Sequence, residues 1–413
     1  MSKKILSLVL AIVMVCSLAL LTACGGGEKL GMSDSPLPIK DAAADFEVAE
    51  DFKIGFICLH DEQSTYDKNF IDAALRFQSA LNLSDKQVII KRNIGETEAC
   101  YEAAVDLVSQ GCDIIFANSF GHEKYIAMAA KEYPDVEFCH ATGVTAATEG
   151  LDNFHNAFAS IYEGRYLAGI AAGLKLNEMI AAGEITEAEA KIGYIGAYTY
   201  AEVISGYTSF YLGVKSVCPS VTMDVQFTGY WYDVTAEKNA AETLISRDCV
   251  LISQHADSMG APGACEAAGI PNVSYNGSTY EACSDTFIIS SAINWTPYYL
   301  YIAKCVSEGT AIDTNWCGGI EEGSVVLTGV NLDVAAEGTL EAINTAIAGL
   351  KDGSIKVFNT ANFAVEGKTL TEADSELISD GYFHESEAIS APSFAYFIDG
   401  ITLLNQIYEQ SDI

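Results

Sequence analysis

Positive charge is what this 413-residue chain has least of. Its 22 lysines and arginines face 56 aspartates and glutamates, and the arginines are only four: Arg76, Arg92, Arg165 and Arg247. A formal net charge of −34 excludes a nucleic-acid partner, because phosphate backbones are held by a basic footprint. It also argues against phosphorylated ligands and is otherwise explained as solubility on an exposed surface. Catalytic signatures are missing too. There is no Gly-x-Ser-x-Gly elbow, no His-Glu-x-x-His and no phosphate loop ending in Gly-Lys-Ser/Thr, so nothing organises a nucleophile or a cofactor and no enzyme is expected. A hydrolase pairing His255 with Asp257 is disfavoured, since nearby positions on a strand-to-loop turn usually point apart. No cysteine pair has metal-ligand spacing. Cys58, Cys139 and Cys249 sit in or beside apolar runs, where a thiol acts as a small hydrophobe. Free, buried cysteines are therefore expected beyond Cys24, with Cys305 and Cys317 as the exceptions.

What is present begins with Lys3 and Lys4, an apolar stretch from Ile5 to Leu21, and then Leu21-Thr22-Ala23-Cys24. A basic start, an apolar core and small residues before a cut make a secretory signal, and the apolar run is marginal for spanning about 30 Å of hydrocarbon. Cys24 at the first mature position resembles the lipid-modified cysteine of bacterial lipoproteins. The expectation is a signal over 1–23 and an anchor on Cys24 at the extracytoplasmic face of the cell membrane. Residues 24–51, with Gly25-Gly26-Gly27, Pro36, Pro38 and the acidic run from Asp41 to Asp51, have the composition of a flexible linker.

From Phe52 onward, apolar β-branched runs alternate with helical patterns. Strands are expected near Lys53, Val88, Asp113 and Glu137, and in a second series near Lys191, Val221, Cys249, Pro271 and Phe287–Ala292. The intervals suit βα units. Glu96 to Gln110 reads as a helix stopped at Gly111, and Pro134 and Pro219 end two others. The fold class is α/β, with two doubly wound parallel-sheet lobes joined by a hinge. The first lobe is assigned to 52–160, completed by part of 286–330. The second is assigned to 161–285, completed by part of 325–413. Ala395–Ile398 and Ile401–Ile407 read as a helix returning to the body.

Ligand chemistry in such sheets lies beyond the carboxyl ends of strands. The residues there include His60, Thr65, Tyr66 and Asn69; Asn118, Ser119 and Phe120; His140 and Thr142; and, in the second series, Glu202, Trp231, His255, Asp257, Asn276 and Trp295. They are rich in aromatics and neutral hydrogen-bonding groups and poor in cations. A planar, uncharged, polar ligand such as a nucleobase or nucleoside fits that list, with stacking worth roughly 1–3 kcal/mol per ring and amides and carboxylates reading its edge. A sugar would use similar groups.

The segments Ser119-Phe120-Gly121, Tyr133-Pro134-Asp135-Val136, His140-Ala141-Thr142-Gly143, Tyr162-Glu163-Gly164-Arg165-Tyr166-Leu167-Ala168-Gly169, Gln254-His255-Ala256-Asp257-Ser258 and Asn294-Trp295 together resemble the basic membrane protein family. The resemblance implies a type I periplasmic-binding-protein fold, a purine nucleoside or nucleobase as ligand, and an ABC transporter permease as partner, with no cofactor. Ser64 stands where the most similar subgroup has tryptophan, Ile293 where a tryptophan often precedes Asn-Trp, and Asn69 where aspartate is common.

On that footing Tyr66 is either the first stacking face or a core tyrosine, and Trp231 is either the opposite wall in a loop or cleft or a core tryptophan. Phe120 packs either under the base or within its lobe. Asp257 and Asn276 serve either ligand hydroxyls and base nitrogens or helix caps. His255, like His140, is either a ligand contact or a satisfied interior histidine. Thr65, Asn69, Asn118, Glu202 and Trp295 complete the ligand set, while Tyr162–Gly169 is read as hinge packing. The rival reading is a surface receptor of the same fold that binds a sugar or another metabolite and feeds a sensor.

Overall fold

The computed structural model describes residues 29–40 and 42–408; the expected signal segment and Cys24 lie outside the described residues. Along the chain the strands are β1 (Ile54–Ile57), β2 (Val88–Lys91), β3 (Ile114–Ala117), β4 (Glu137–Ala141) and β5 (Phe154–Ala159). They continue with β6 (Lys191–Gly196), β7 (Thr222–Phe227), β8 (Leu251–His255), β9 (Asn272–Tyr275) and β10 (Phe287–Ile293). The last are β11 (Asn315–Gly318), β12 (Val325–Leu327), β13 (Ile378–Ser379), β14 (Tyr382–Phe383) and β15 (Ile401–Leu403). One sheet has the order β11-β5-β4-β3-β1-β2 and the other β12-β10-β9-β8-β6-β7-β15. Every pairing in them is parallel except β10 with β12. β1, β3, β8 and β9 are buried at every residue, as expected of parallel strands with both faces covered.

The expected strands are present, and so are the three helices read between them. Helix Glu98–Ser109 occupies the stretch read as 96–110, and helices Glu123–Glu132 and Ala201–Val217 end two residues before Pro134 and Pro219. β5 had not been read as a strand because His155 and Asn156 interrupt its apolar run. Both are buried: His155 Nε2 lies 2.7 Å from Glu137, and Asn156 Oδ1 accepts from the Ala146 amide at 2.8 Å.

The chain passes between the sheets three times: from β5 into helix Ile161–Ala182, from β10 into helix Thr296–Glu308, and from β11 to β12. Ending the second lobe's first stretch at 285 stops too soon, because β10 pairs with β9 in the second sheet. Helix Ile161–Ala182 packs lengthwise on helix Ala201–Val217. Gly169 and Gly213 make this possible. A side chain on Gly169 would collide with the Phe210 carbonyl, and one on Gly213 with the Tyr166 carbonyl, so the Tyr162–Gly169 segment is backbone-to-backbone packing beside a crossover.

Three other expectations are corrected. The linker is docked from Met32: the Ser33 amide donates to Val330, the Leu327 amide to Leu37, and Lys304 pairs with Asp45 at 3.0 Å. Leu37 is buried there. The C-terminal helix is instead the edge strand β15, with Ile401 opposite Met223 on β7; β-branched Ile401 and Thr402 fit a pleated edge better than a helix. Cys305 and Cys317 are unpaired like the other eight described cysteines, and all but Cys317 are buried. Among the described residues no helix is long and apolar enough to cross a membrane.

Candidate functional site

The carboxyl ends of both sheets enclose a narrow pocket, in the position where ligand sites of such sheets lie. From the first lobe it is lined by Leu59, His60, Tyr66, Asp67, Ser119, Phe120 and Thr142, and from the second by Glu202, Trp231, His255 and Asp257. All but His255, the last residue of β8, follow the ends of β1, β3, β4, β6, β7 and β8, in the loops or in the first turn of the next helix. No lysine or arginine is among them.

Tyr66 and Asp67 come from the first turn of helix Thr65–Ala80. Ser64 caps that helix, its hydroxyl accepting from the Asp67 amide at 3.1 Å. A buried serine in the tryptophan's place is thus a helix cap. The Tyr66 hydroxyl donates to the Asn118 carbonyl at 2.7 Å, which fixes the ring. Burial pushes that hydroxyl's pKa well up, with Glu202 adding to the effect, so it stays a donor. Asp67 accepts from the His60 amide at 3.0 Å and from Asn118 Nδ2 at 2.8 Å, and its second oxygen lies 3.3 Å from His60 Nδ1. Burial works to raise its pKa, yet these hydrogen bonds prevail and hold it below the usual carboxylate value.

The opposite wall is aromatic. Trp231 meets Tyr198 edge-on at 5.3 Å, and Tyr198 stacks on Tyr200 at 5.1 Å. Tyr200 in turn stacks across the cleft on Phe120 at 5.0 Å. His60 and Tyr232 bridge the rim with ring centroids 5.5 Å apart. Asp257 is 5% exposed; burial, with Glu237, Asp67 and Glu202 nearby, drives its pKa well above the ordinary range. Burial there favours the protonated carboxyl over the carboxylate. His255 is held neutral by burial, its pKa lowered although Glu202 Oε1 lies 3.4 Å from Nε2. Its Nδ1 has no hydrogen-bond partner.

Thr142 has φ +66°, a strained conformation for a β-branched residue. Its hydroxyl is buried without a partner at the pocket wall. Strain and an orphaned hydroxyl together mark a group held for something else to meet.

Of the expected site residues, Tyr66, Phe120, Glu202, Trp231, His255 and Asp257 line the pocket; five do not. Thr65 donates from its amide and hydroxyl to the Asp257 carbonyl at 3.0 and 3.2 Å. Asn69 Nδ2 donates to Asn276 Oδ1 at 3.2 Å, and Asn276 Nδ2 reaches Asp257 Oδ1 at 3.4 Å. These three join the lobes beside the pocket. Asn118 is fully buried, tying the Leu59 amide to Asp67. Trp295 belongs to the first lobe's core, 1% exposed and stacked on Phe70 at 4.5 Å. Leu59 and Asp67 were missed; the Ser-x-x-Asp spacing at 64–67, a capping pattern after a strand, could have found Asp67.

Behind the second wall lies Arg165, fully buried, with its guanidinium 4.6 Å from the Tyr275 ring centre and one nitrogen 3.2 Å from the Gln254 carbonyl. Its positive charge helps keep His255 neutral.

A family model described as ABC transporter substrate-binding protein PnrA-like matches residues 59–376. A purine-binding protein of Brucella abortus is 33% identical over 244 residues, which cover 59% of this chain and 65% of that protein. A protein of Haloferax volcanii named as an ABC transporter glucose-binding protein is 32% identical over 228 residues, 55% of this chain and 54% of the relative. The chain thus spans less than two thirds of the length of either. Among solved structures, an ABC transporter solute-binding protein from Conexibacter woesei has a TM-score of 0.59 at 19% identity, over 74% of this chain and 98% of that one. The likeness is one of fold, and it is the two-lobed periplasmic-binding-protein type.

Proposed function

We infer that this chain, which belongs to the Bmp family of PnrA-like ABC transporter substrate-binding proteins, binds a purine nucleoside or nucleobase in the cleft and delivers it to an ABC importer's permease. One observation carries the ligand class: Tyr66 and Phe120 of one lobe and Trp231 of the other line a pocket whose polar lining includes Asp67, Glu202 and Asp257 and no lysine or arginine. Aromatic faces sandwich a flat ring, and carboxyl groups read ring N–H groups and sugar hydroxyls. The absence of a lining cation disfavours nucleotides, whose phosphates need one. The name of the Brucella relative points the same way.

Delivery would follow from a hinge. Three crossovers between the sheets can serve as one, and because Thr65 and Asn69 already join the lobes, opening would be the step that admits or releases a ligand between Tyr66 and Trp231. The amino-terminal features support anchoring through a lipid on Cys24 at the extracytoplasmic face, where a captured ligand stays near the permease.

A second reading, a sugar receptor of the same fold, is favoured by the Haloferax relative's name. Calorimetric titration of residues 25–413, refolded to strip carried-over ligand, against adenine, adenosine, guanosine, inosine, uridine and several sugars separates the two. One-to-one purine binding is expected. Binding of a sugar with silence toward every purine would overturn the purine reading in favour of the second.

A further inference from the structure

The family match ends at residue 376, yet the chain goes on to return to the cleft. After Gly400, β15 adds to the edge of β7, with Ile401, Thr402 and Leu403 opposite Met223, Asp224 and Val225. Beyond it, Asn405 clamps Phe227 at the carboxyl end of β7: its Oδ1 accepts from the Phe227 amide at 2.8 Å and its Nδ2 donates to the Phe227 carbonyl at 2.9 Å. Two residues on, the Ile407 carbonyl accepts from the Thr199 amide at 2.7 Å, and the Ile407 amide donates to Thr199 Oγ1 at 2.8 Å.

These two clamps fall where the second wall of the pocket leaves its sheet. Thr199 lies between Tyr198 and Tyr200, and Phe227 leads through Gly229 into Trp231. The Ile407 side chain sits against Gly229, 3.4 Å from where a Cβ would be. Side-chain amides that use both groups on one residue's backbone leave it little freedom. Loop ends so tied hold their aromatic rings in the geometry a ligand meets, and that lowers the ordering cost of binding.

We propose that the carboxyl-terminal strap, through Asn405 and Ile407, is a positioning element of the ligand site that sets its affinity by holding Tyr198, Tyr200 and Trp231 in place. The inference rests on the reading of the cleft as a purine site for its affinity consequence, although the positioning itself does not.

The test compares wild type with Asn405→Ala, Ile407→Pro, which removes the amide donated to Thr199, and Gln406→Ala, whose side chain accepts from the Tyr408 hydroxyl and takes no part in either clamp. Each is titrated with adenosine and adenine, following Trp231 fluorescence in a Trp295→Phe, Trp316→Phe background. Weakening of about tenfold is expected for the first two, with an altered Trp231 spectrum before ligand is added and no change for Gln406→Ala. A structural role alone would lower the melting temperature and leave both the spectrum and the affinity of the folded protein unchanged, which would overturn the proposal. Amide exchange at Tyr198–Tyr200 and Gly229–Tyr232 provides a readout without ligand. If wild type binds no purine, faster exchange there in Asn405→Ala still supports the positioning role, and unchanged exchange overturns it.

Discussion

Thr65 and Asp257 meet across the two lobes: the amide and the hydroxyl of Thr65 both donate to the backbone carbonyl of Asp257, at 3.0 and 3.2 Å. Tyr66, just after Thr65, and Asp257 both line the pocket, so this contact ties lobe approach to the placement of pocket-lining groups. Thr65→Val keeps the amide bond and deletes the hydroxyl one. A lost neutral hydrogen bond of about 1 kcal/mol should weaken purine binding by roughly fivefold, with a smaller compaction on ligand addition in small-angle scattering. Unchanged affinity would make Thr65 a bystander.

Trp231 is tested more sharply. Its carbonyl accepts from the Asp257 amide at 3.0 Å, so Trp231→Ala keeps that bond and removes only the ring. Loss of one stacking face should cost about 1–3 kcal/mol of purine affinity, measured by calorimetry, while any weak sugar binding is spared. An equal loss for sugars would point to a collapsed wall.

These two residues show what was legible beforehand. The order of strands was readable because parallel strands covered on both faces are unbroken apolar runs, as in β1 and β3. Tyr66, Glu202, Trp231 and Asp257 were readable because they follow such runs. Trp295 follows one too, at the end of β10, yet it turns into the core against Phe70, and residue order alone does not say to which side a loop turns. Asp67 escaped because its carboxylate reaches back to the His60 amide, a contact that residue order does not show. The terminal strap escaped because Ile401–Ile407, without its partner β7, has the apolar content of either a helix or a strand.

Gly206 offers a test of His255. A Cβ at Gly206 would stand 2.7 Å from His255 Nδ1, so Gly206→Ala must push the imidazole toward the pocket, or away from Glu202. Expected are weaker purine binding and a shifted His255 ring signal in NMR, with folding retained because helix Ala201–Val217 gains an alanine in its interior. An unmoved His255 signal would show that the helix gives way instead.

Burial predicts how stability depends on pH. Glu237 is fully buried, and its pKa, like those of Glu163 and Glu385, is raised by burial to about 7. A carboxyl with a folded-state pKa above its unfolded value binds more protons when folded. Its contribution is complete below the unfolded pKa near 4.5 and is lost as pH rises through about 7. His140 runs the other way: burial lowers its pKa to about 4, so its contribution is present above 6.5 and is lost on acidification. Between neutrality and mildly alkaline pH the carboxyls act alone, and the melting temperature should fall. Glu237→Gln keeps an acceptor for the Ser258 amide, which lies 3.2 Å from each Glu237 oxygen, and cannot ionise. Relative to wild type it should gain stability at about pH 8 and little at about pH 5.5, read as melting temperatures at both. A gap that does not widen with pH would mean that Glu237 is already ionised in the folded protein.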